Sequence, residues 1–326
     1  MAMDGFDPEF RDLPDYIIKI TERIWEGRGI GLIRDWYSED CLVHTANGEM
    51  HGAEAMVAGT LATLHAFPER RLLPEDIIWS GDAGRGFLSS HRVSAPSVHL
   101  GEGIYGPPTG RAIHFYAVAD CVCIGNRIVE EWLVRDEAGI AIQLGLDPVE
   151  HARRQARADM EAGKGPWQAG LARSLRDESF EPHEQQDHPA AVMVRDALAR
   201  MWRSDLHVIR DAYHPACVVR ATGNRLLHGH ARLDRWFIGW LSSFPDARFV
   251  VDHSMAMEEP GRPVRVSTRW WLTGTHAGHG AFGPPSGATV VALGVTHAEV
   301  VDGLIRNEWI VTDEVAVRRQ IAMHQG

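Results

Sequence analysis

Residues 114–121 read HFYAVADC. In a strand alternate side chains share a face, so His114, Tyr116, Val118 and Asp120 line one side. Ile113, Phe115, Ala117, Ala119 and Cys121 line the other. That second row is wholly apolar and is expected to pack against protein. The first row carries an imidazole, a phenol and a carboxylate, which suits the wall of a pocket. In an apolar cavity desolvation disfavours a charged carboxylate and lifts its pKa toward the working range of a general base. If the same face looks outward, Asp120 is a surface acid or an ordinary structural partner.

Other residues could take part in such chemistry. His91 and Arg92 are adjacent and so point to opposite sides of their strand. His91 is a candidate polar pocket residue. Arg92 suits a structural salt bridge, with Asp136 or Asp313 as its acid. Tyr37 can donate a hydrogen bond to a carbonyl oxygen, or it is a core tyrosine with its hydroxyl bonded. His44 follows a short strand and is a weaker pocket candidate. Trp25 and Trp132 read as core or pocket lining. His99 and His276 end strands beside glycine-rich turns, where loop-anchoring hydrogen bonds are the expected use.

Eighteen histidines raise the question of a metal. His276 and His279 share a turn with no evident further ligand, and HEXXH is absent. There is no GxGxxG after a first strand, no GxxxxGK[ST] and no GxSxG elbow. Neither a metal nor a cofactor is expected. The net charge of −11, with Lys19 and Lys164 the only lysines, argues against nucleic acid or an anionic membrane as partner. Four cysteines are too few for a secreted disulfide framework. No apolar run approaches the roughly 18 residues of a membrane span. The opening MAMDGFDPEFRDLPDY has no apolar signal region. These observations lead us to expect a cytoplasmic protein.

The elements that position these residues occur twice. YGPPTGR at 105–111 returns as FGPPSGA at 282–288, a shift of 177. Over 103–143 against 280–320, 13 of 41 residues are identical without a gap, which makes a tandem duplication the only reasonable origin. Trp25 pairs with Trp202, Tyr37 with Tyr213, Arg92 with Arg269 and Trp132 with Trp309. The expected domains cover 14–146 and 191–324, with 147–190 as a charged surface helix and linker. In each half the apolar spacing gives helices first and then a run of antiparallel strands. For the first half the helices are 15–27, about 30–37 and 52–67; the strands lie near 71–80, 86–99, 111–124 and 127–135. That order predicts an α+β fold: two tandem cone-shaped barrels, each a curved, mainly antiparallel sheet wrapped around helices.

Three phrases carry a family resemblance: SSHRVSAPSVHLGEGIYGPPTGR at 89–111, NRIVEEWLVRDEAGIAIQLG at 126–145 and RWWLTGTHAGHGAFGPPSG at 269–287. They resemble the SnoaL-like polyketide cyclases, within the superfamily named after nuclear transport factor two. The family pattern is a Thr-His-Gly strand end, a Pro-Thr-Gly turn, and a strand pair closing on Ile-Val-Glu-His-Trp, then an Asp and Gln-Leu-Gly. The resemblance implies a cone barrel with an apolar pocket and cofactor-free acid–base chemistry by an aspartate in the strand after the turn. Only Asp120 matches that position. The family's Glu-His-Trp is Glu130-Glu131-Trp132 in one repeat and Asn307-Glu308-Trp309 in the other. A mechanism that needs the histidine is therefore not carried over.

In the second repeat the row equivalent to His114–Asp120 reads Val291, Leu293, Val295 and His297. Shared residues are best explained by fold, and divergent polar ones by specialisation. The first repeat is therefore the expected active site. Tyr213, His297 and Trp309 would line a second pocket, in which His297 is either a base or a satisfied core histidine. The leading reading is a cofactor-independent enzyme acting on a small apolar carbonyl compound. Asp120 would remove a proton, Tyr37, His114 or His91 would polarise the oxygen, and Tyr116, Trp132, His44 and Trp25 would hold the substrate. Cyclase, isomerase, lyase and hydrolase outcomes stay open. The alternative is a non-catalytic ligand-binding or structural protein of the same fold. The repeats are expected to pair sheet to sheet within the chain, which leaves a homodimer open.

Overall fold

The computed structural model describes residues 3–183 and 185–326. The chain divides into two compact units, Met1–Arg135 with Ile140–Leu146, and Asp136–Gly139 with Asp147–Gly326.

The first unit begins with α1, Leu13–Thr21, capped by Asp12, whose carboxylate accepts from the Asp15 amide. Leu13, Ile17 and Ile20 recur on its buried side. A π-helical stretch, Glu22–Glu26, continues it and carries Ile24 and Trp25. After α2 (Ile33–Trp36) come β1 (Tyr37–Thr45), β2 (Gly48–His51) and α3 (Gly52–Ala66). Four strands follow: β3 (Leu73–Asp82), β4 (Gly86–Val98), β5 (Ala112–Ile124) and β6 (Arg127–Arg135), then α4 (Glu137–Leu144). The six strands form one sheet in the order β2-β1-β6-β5-β4-β3. Only β1 and β6 are parallel.

The second unit repeats this plan with α7 (Pro189–Trp202), α8 (Val208–Ala212), β7 (Tyr213–Ala221), β8 (Arg225–His228) and α9 (His230–Ser243). It closes with β9 (Arg248–Met257), β10 (Val264–Thr275), β11 (Thr289–Val301), β12 (Leu304–Thr312) and α10 (Glu314–Gln325). Its sheet has the matching order β8-β7-β12-β11-β10-β9. The α+β architecture and the tandem plan follow the sequence reading. The segment 147–190 departs from it. It holds two helices, α5 (Pro148–Glu161) and α6 (Gln168–Arg176). Both belong to the second unit, α5 packing on α10 and α6 on β9–β11. Their buried alanines and Leu175 dock them there, and buried Asp159 of α5 pairs with Arg319 of α10, so part of the segment's charge serves the docked side.

Two shared features of the repeats have structural causes. In the first unit β5 outruns β6, whose pairing begins at Ala117. The open edge is closed by Gln143 of α4, which accepts from the His114 amide at 2.9 Å and donates to its carbonyl at 2.7 Å. Gln320 serves Val291 in the same way, at 2.8 Å for both bonds. Backbone groups at an open strand edge need such partners, above all where the edge is buried, as at Val291. The GPPTG turn folds back so that the Gly110 amide reaches the His99 carbonyl. Gly106 and Gly110 have φ of 93° and 67°, and Gly283 and Gly287 repeat them at 92° and 79°. His99 and His276 anchor these turns through Thr109 and Ser286. Among the described residues no helix is long and apolar enough to cross a membrane.

Candidate functional site

Which face of the sheet meets the helices decides where a site can form. In the first unit Phe87, Cys121, Cys123, Val43 and Ile77 share one buried cluster with Leu13, Ile17, Ile20 and Ile24 of the helical segment. Residues paired across neighbouring strands point the same way. The interior face therefore carries the row Trp79, Ser89, Cys121, Glu131, Val43. The next row is Ile77, His91, Ala119, Leu133, Thr45.

This corrects the expected placement of Asp120. The apolar row of β5 does pack against protein, as its composition required, but the protein it meets is the helices. The interior thus lies on the side of Cys121 and Ala119. His114, Tyr116 and Asp120 stand on the opposite face. Asp120 is buried and accepts a hydrogen bond from Ser90 on the neighbouring strand. His114 is exposed, 2.5 Å from the Ser94 hydroxyl and edge-on to half-buried Tyr116. His44 and Trp132 share that face, stacked at 4.9 Å, with His44 2.8 Å from Glu130. In the second unit Arg220 covers Trp309 at 5.0 Å in the same place. His297, paired with Trp309, is buried there too. Of the expected site residues the interior of the first unit receives His91, Tyr37 and Trp25. The acid of Arg92 is also corrected. It pairs with Glu75, and Arg269 with Asp252, each one strand away. Asp136 and Asp313 instead accept from the Gly139 and Ala316 amides in the first turns of α4 and α10.

The carboxyl that does enter the interior is Glu131, on β6, at the position where the family pattern has histidine. It is buried, and no cation accompanies it among the described residues. Burial pushes its pKa up to about 7, and the hydrogen bond from the Tyr37 hydroxyl holds it lower than burial alone would. Its Oε2 has no hydrogen-bond partner among the described residues. Two more buried polar atoms on the same face are without one: His91 Nε2 and Trp79 Nε1. Burial, with a smaller contribution from Arg92, lowers His91 to about 4, so its imidazole is neutral. Buried polar atoms are normally bonded, so these open positions leave room on this face for a water or for the polar groups of a ligand.

The second unit keeps the carboxyl and fills the space. Tyr213 donates to Glu308 at 3.0 and 3.1 Å from its two oxygens, and burial raises Glu308 to about 8. Around it Trp202, Trp236, Phe237, Trp240 and Trp270 form one aromatic cluster. At the shift of 177, Trp236, Phe237, Trp240 and Trp270 correspond to Gly59, Thr60, Thr63 and Val93. His91, Ser89 and Trp79 become Thr268, Val266 and Ala256. Burial follows the difference. Ala119, Leu133 and Trp25 of the first interior are half-buried, whereas Thr296, Ile310 and Trp202 are buried. Trp25 donates weakly to Thr60 at 3.4 Å. Among the described residues no group of three or more His, Cys, Asp or Glu is arranged to hold a metal.

The sequence model of the SnoaL-like polyketide cyclases matches residues 16–144 and again 192–321. The chain belongs to that family and carries its domain twice. Solved structures similar to it include IdmH of Streptomyces antibioticus, assigned as a polyketide cyclase. That match has 25% identity and a TM-score of 0.36, covering 41% of this chain and 98% of that one. A SnoaL-like protein of Jannaschia sp. CCS1 matches at 22% identity and a TM-score of 0.35, covering 43% and 98%. AclR of Streptomyces galilaeus, assigned as a hydroxylase, matches at 24% and 0.35, covering 41% and 85%. No curated protein matches the chain at a significant level.

Proposed function

We propose that the chain is a cofactor-independent enzyme whose first unit transfers a proton on a small apolar carbonyl compound. The observation that carries this reading is Glu131, a buried carboxyl with no cation beside it, a pKa raised to about 7 and one oxygen without a hydrogen-bond partner, on the face where Trp25, Ala119 and Leu133 are half-buried. A carboxylate poised near neutrality is well matched to removing a proton from carbon next to a carbonyl. In this scheme Oε2 of Glu131 takes the C–H proton, and the electron pair moves onto the carbonyl oxygen. Neutral His91 donates its Nε2 proton as a hydrogen bond to that oxygen, stabilising the enolate without becoming a competing acid. Tyr37 orients the carboxyl. The enolate carbon then attacks a second carbonyl, a cyclisation, or recovers the proton elsewhere, an isomerisation. Membership of a family named for polyketide cyclases supports the first outcome.

The test uses 2-tetralone in deuterium oxide, with exchange of its α-protons followed by NMR. The intact protein is expected to accelerate exchange, and Glu131→Gln to reduce the acceleration by about 100-fold or more. Equal rates for the two proteins would remove Glu131 from the chemistry.

A further inference from the structure

A cavity of about 420 Å³ opens on the second unit, and Leu227, Trp236 and Trp240 of its aromatic core form part of the wall. Strand β8 contributes Arg225 and Leu227, and α9 contributes Arg232, Arg235, Trp236 and Trp240. The single acid in the wall is Glu314, at the start of α10. Glu314 is already spent. It receives both Nη atoms of Arg225, at 2.8 and 3.2 Å, which fixes that guanidinium against the wall. Asp234 lies between the other two arginines in sequence, but it is held by Arg210. Arg232 and Arg235 are exposed and have no carboxylate partner among the described residues. The Nε1 atoms of Trp236 and Trp240, both indoles being buried, have no hydrogen-bond partner there either.

The wall is therefore rich in donors and its acceptor is used. On a chain of net charge −11 it is also a local concentration of positive charge. Trp236, Trp240 and Leu227 supply the apolar floor of the same cavity. The three arginines are not required by the fold. Arg225, Arg232 and Arg235 correspond to Gly48, Ala55 and Ala58 of the first unit, where the same hairpin and helix form without them.

We propose that this cavity binds an amphipathic aromatic carboxylate, with the anion on Arg232 and Arg235 and the ring on Trp236 and Leu227. A guanidinium presents paired N–H donors that match a carboxylate, and the same plane stacks on an aromatic ring. A neutral aromatic compound would satisfy the floor and leave the arginines unanswered. This site is independent of the acid–base chemistry assigned to the first unit.

The test is calorimetric titration of the whole chain with 2-naphthoate and with its neutral counterpart 2-naphthamide. The naphthoate is expected to bind at least about tenfold more tightly. Arg232→Gln with Arg235→Gln should abolish the difference, and the paired Lys variants should keep part of it. Both arginines are exposed, and circular dichroism checks that the variants stay folded. Equal binding of acid and amide, no saturable binding at millimolar ligand, or naphthoate binding untouched in the Gln variant would each overturn the proposal. The last result would place the ligand elsewhere in the chain.

Discussion

Replacing Glu131 by glutamine should change how the stability of the first unit depends on pH. Glu131 moves from an ordinary 4.5 to about 7 on folding. Below the lower value both states hold the proton and the buried carboxyl is neutral. Between the two values the unfolded chain has released its proton and the native protein has kept it, so stability falls as pH rises through this window. Each unit of displacement is worth about 1.4 kcal/mol, which makes the loss about 3 kcal/mol once the native carboxyl has also ionised. Glutamine fills the same volume and does not titrate. Relative to the unmodified protein, Glu131→Gln should therefore gain about 3 kcal/mol between about pH 4 and about pH 8. Urea unfolding at the two pH values measures this, in the transition that the substitution moves, since two units need not unfold together. The carboxyl carbon of Glu131, followed by NMR, reports the pKa directly. A flat stability difference across that range, together with a carboxyl titrating near its ordinary value, would refute the reading of Glu131 as an uncompensated buried acid.

Further outcomes follow from the same geometry. Tyr37→Phe removes the hydrogen bond that favours the ionised form, so the Glu131 titration should move up by about one unit or more in the same NMR experiment. His91 behaves with opposite sign. Its pKa falls from 6.5 to about 4 on folding, so its contribution is present above the higher value and is lost as pH drops through the window. His91→Gln should remove about 3 kcal/mol of acid sensitivity in the urea series. In the second unit a Cβ at Gly294 would sit 2.1 Å from the Trp270 ring. Gly294→Ala should then destabilise that unit by about 1–3 kcal/mol, read as a lower urea midpoint. Asp120→Asn should leave the Glu131 titration and the tetralone exchange unchanged, because Asp120 faces away from the interior. A loss of exchange as large as that of Glu131→Gln would return the chemistry to the other side of the sheet.

The chain's own pattern of residues was enough to establish the duplication, the order of helices and strands, the glycine-proline turn and the α+β class. Each of these is local: a repeat is read by shifting the sequence, a helix or strand by its period, a turn by the conformations its glycines allow. Period two also divided β5 correctly into the row of His114 to Asp120 and the row of Ile113 to Cys121. It could not say which row faces the helices, because alternation is the same seen from either side. Only the packing of α1 and its π-helical extension against Cys121 and Cys123 decided that. Glu131 was visible as the residue replacing a histidine, but being shared with Glu308 it read as scaffold. What distinguishes the two acids is distant in sequence: Gly59, Thr60, Thr63 and Val93 around one, four large aromatic side chains around the other. Likewise 147–190 looked like a linker because its buried alanines are few and short, and their partner helix lies more than a hundred residues onward. Burial sets a carboxyl's pKa, and burial is a property of what surrounds a residue after folding. The titration of Glu131, the neutrality of His91 and the open cavity with its three arginines were therefore decided by tertiary structure alone.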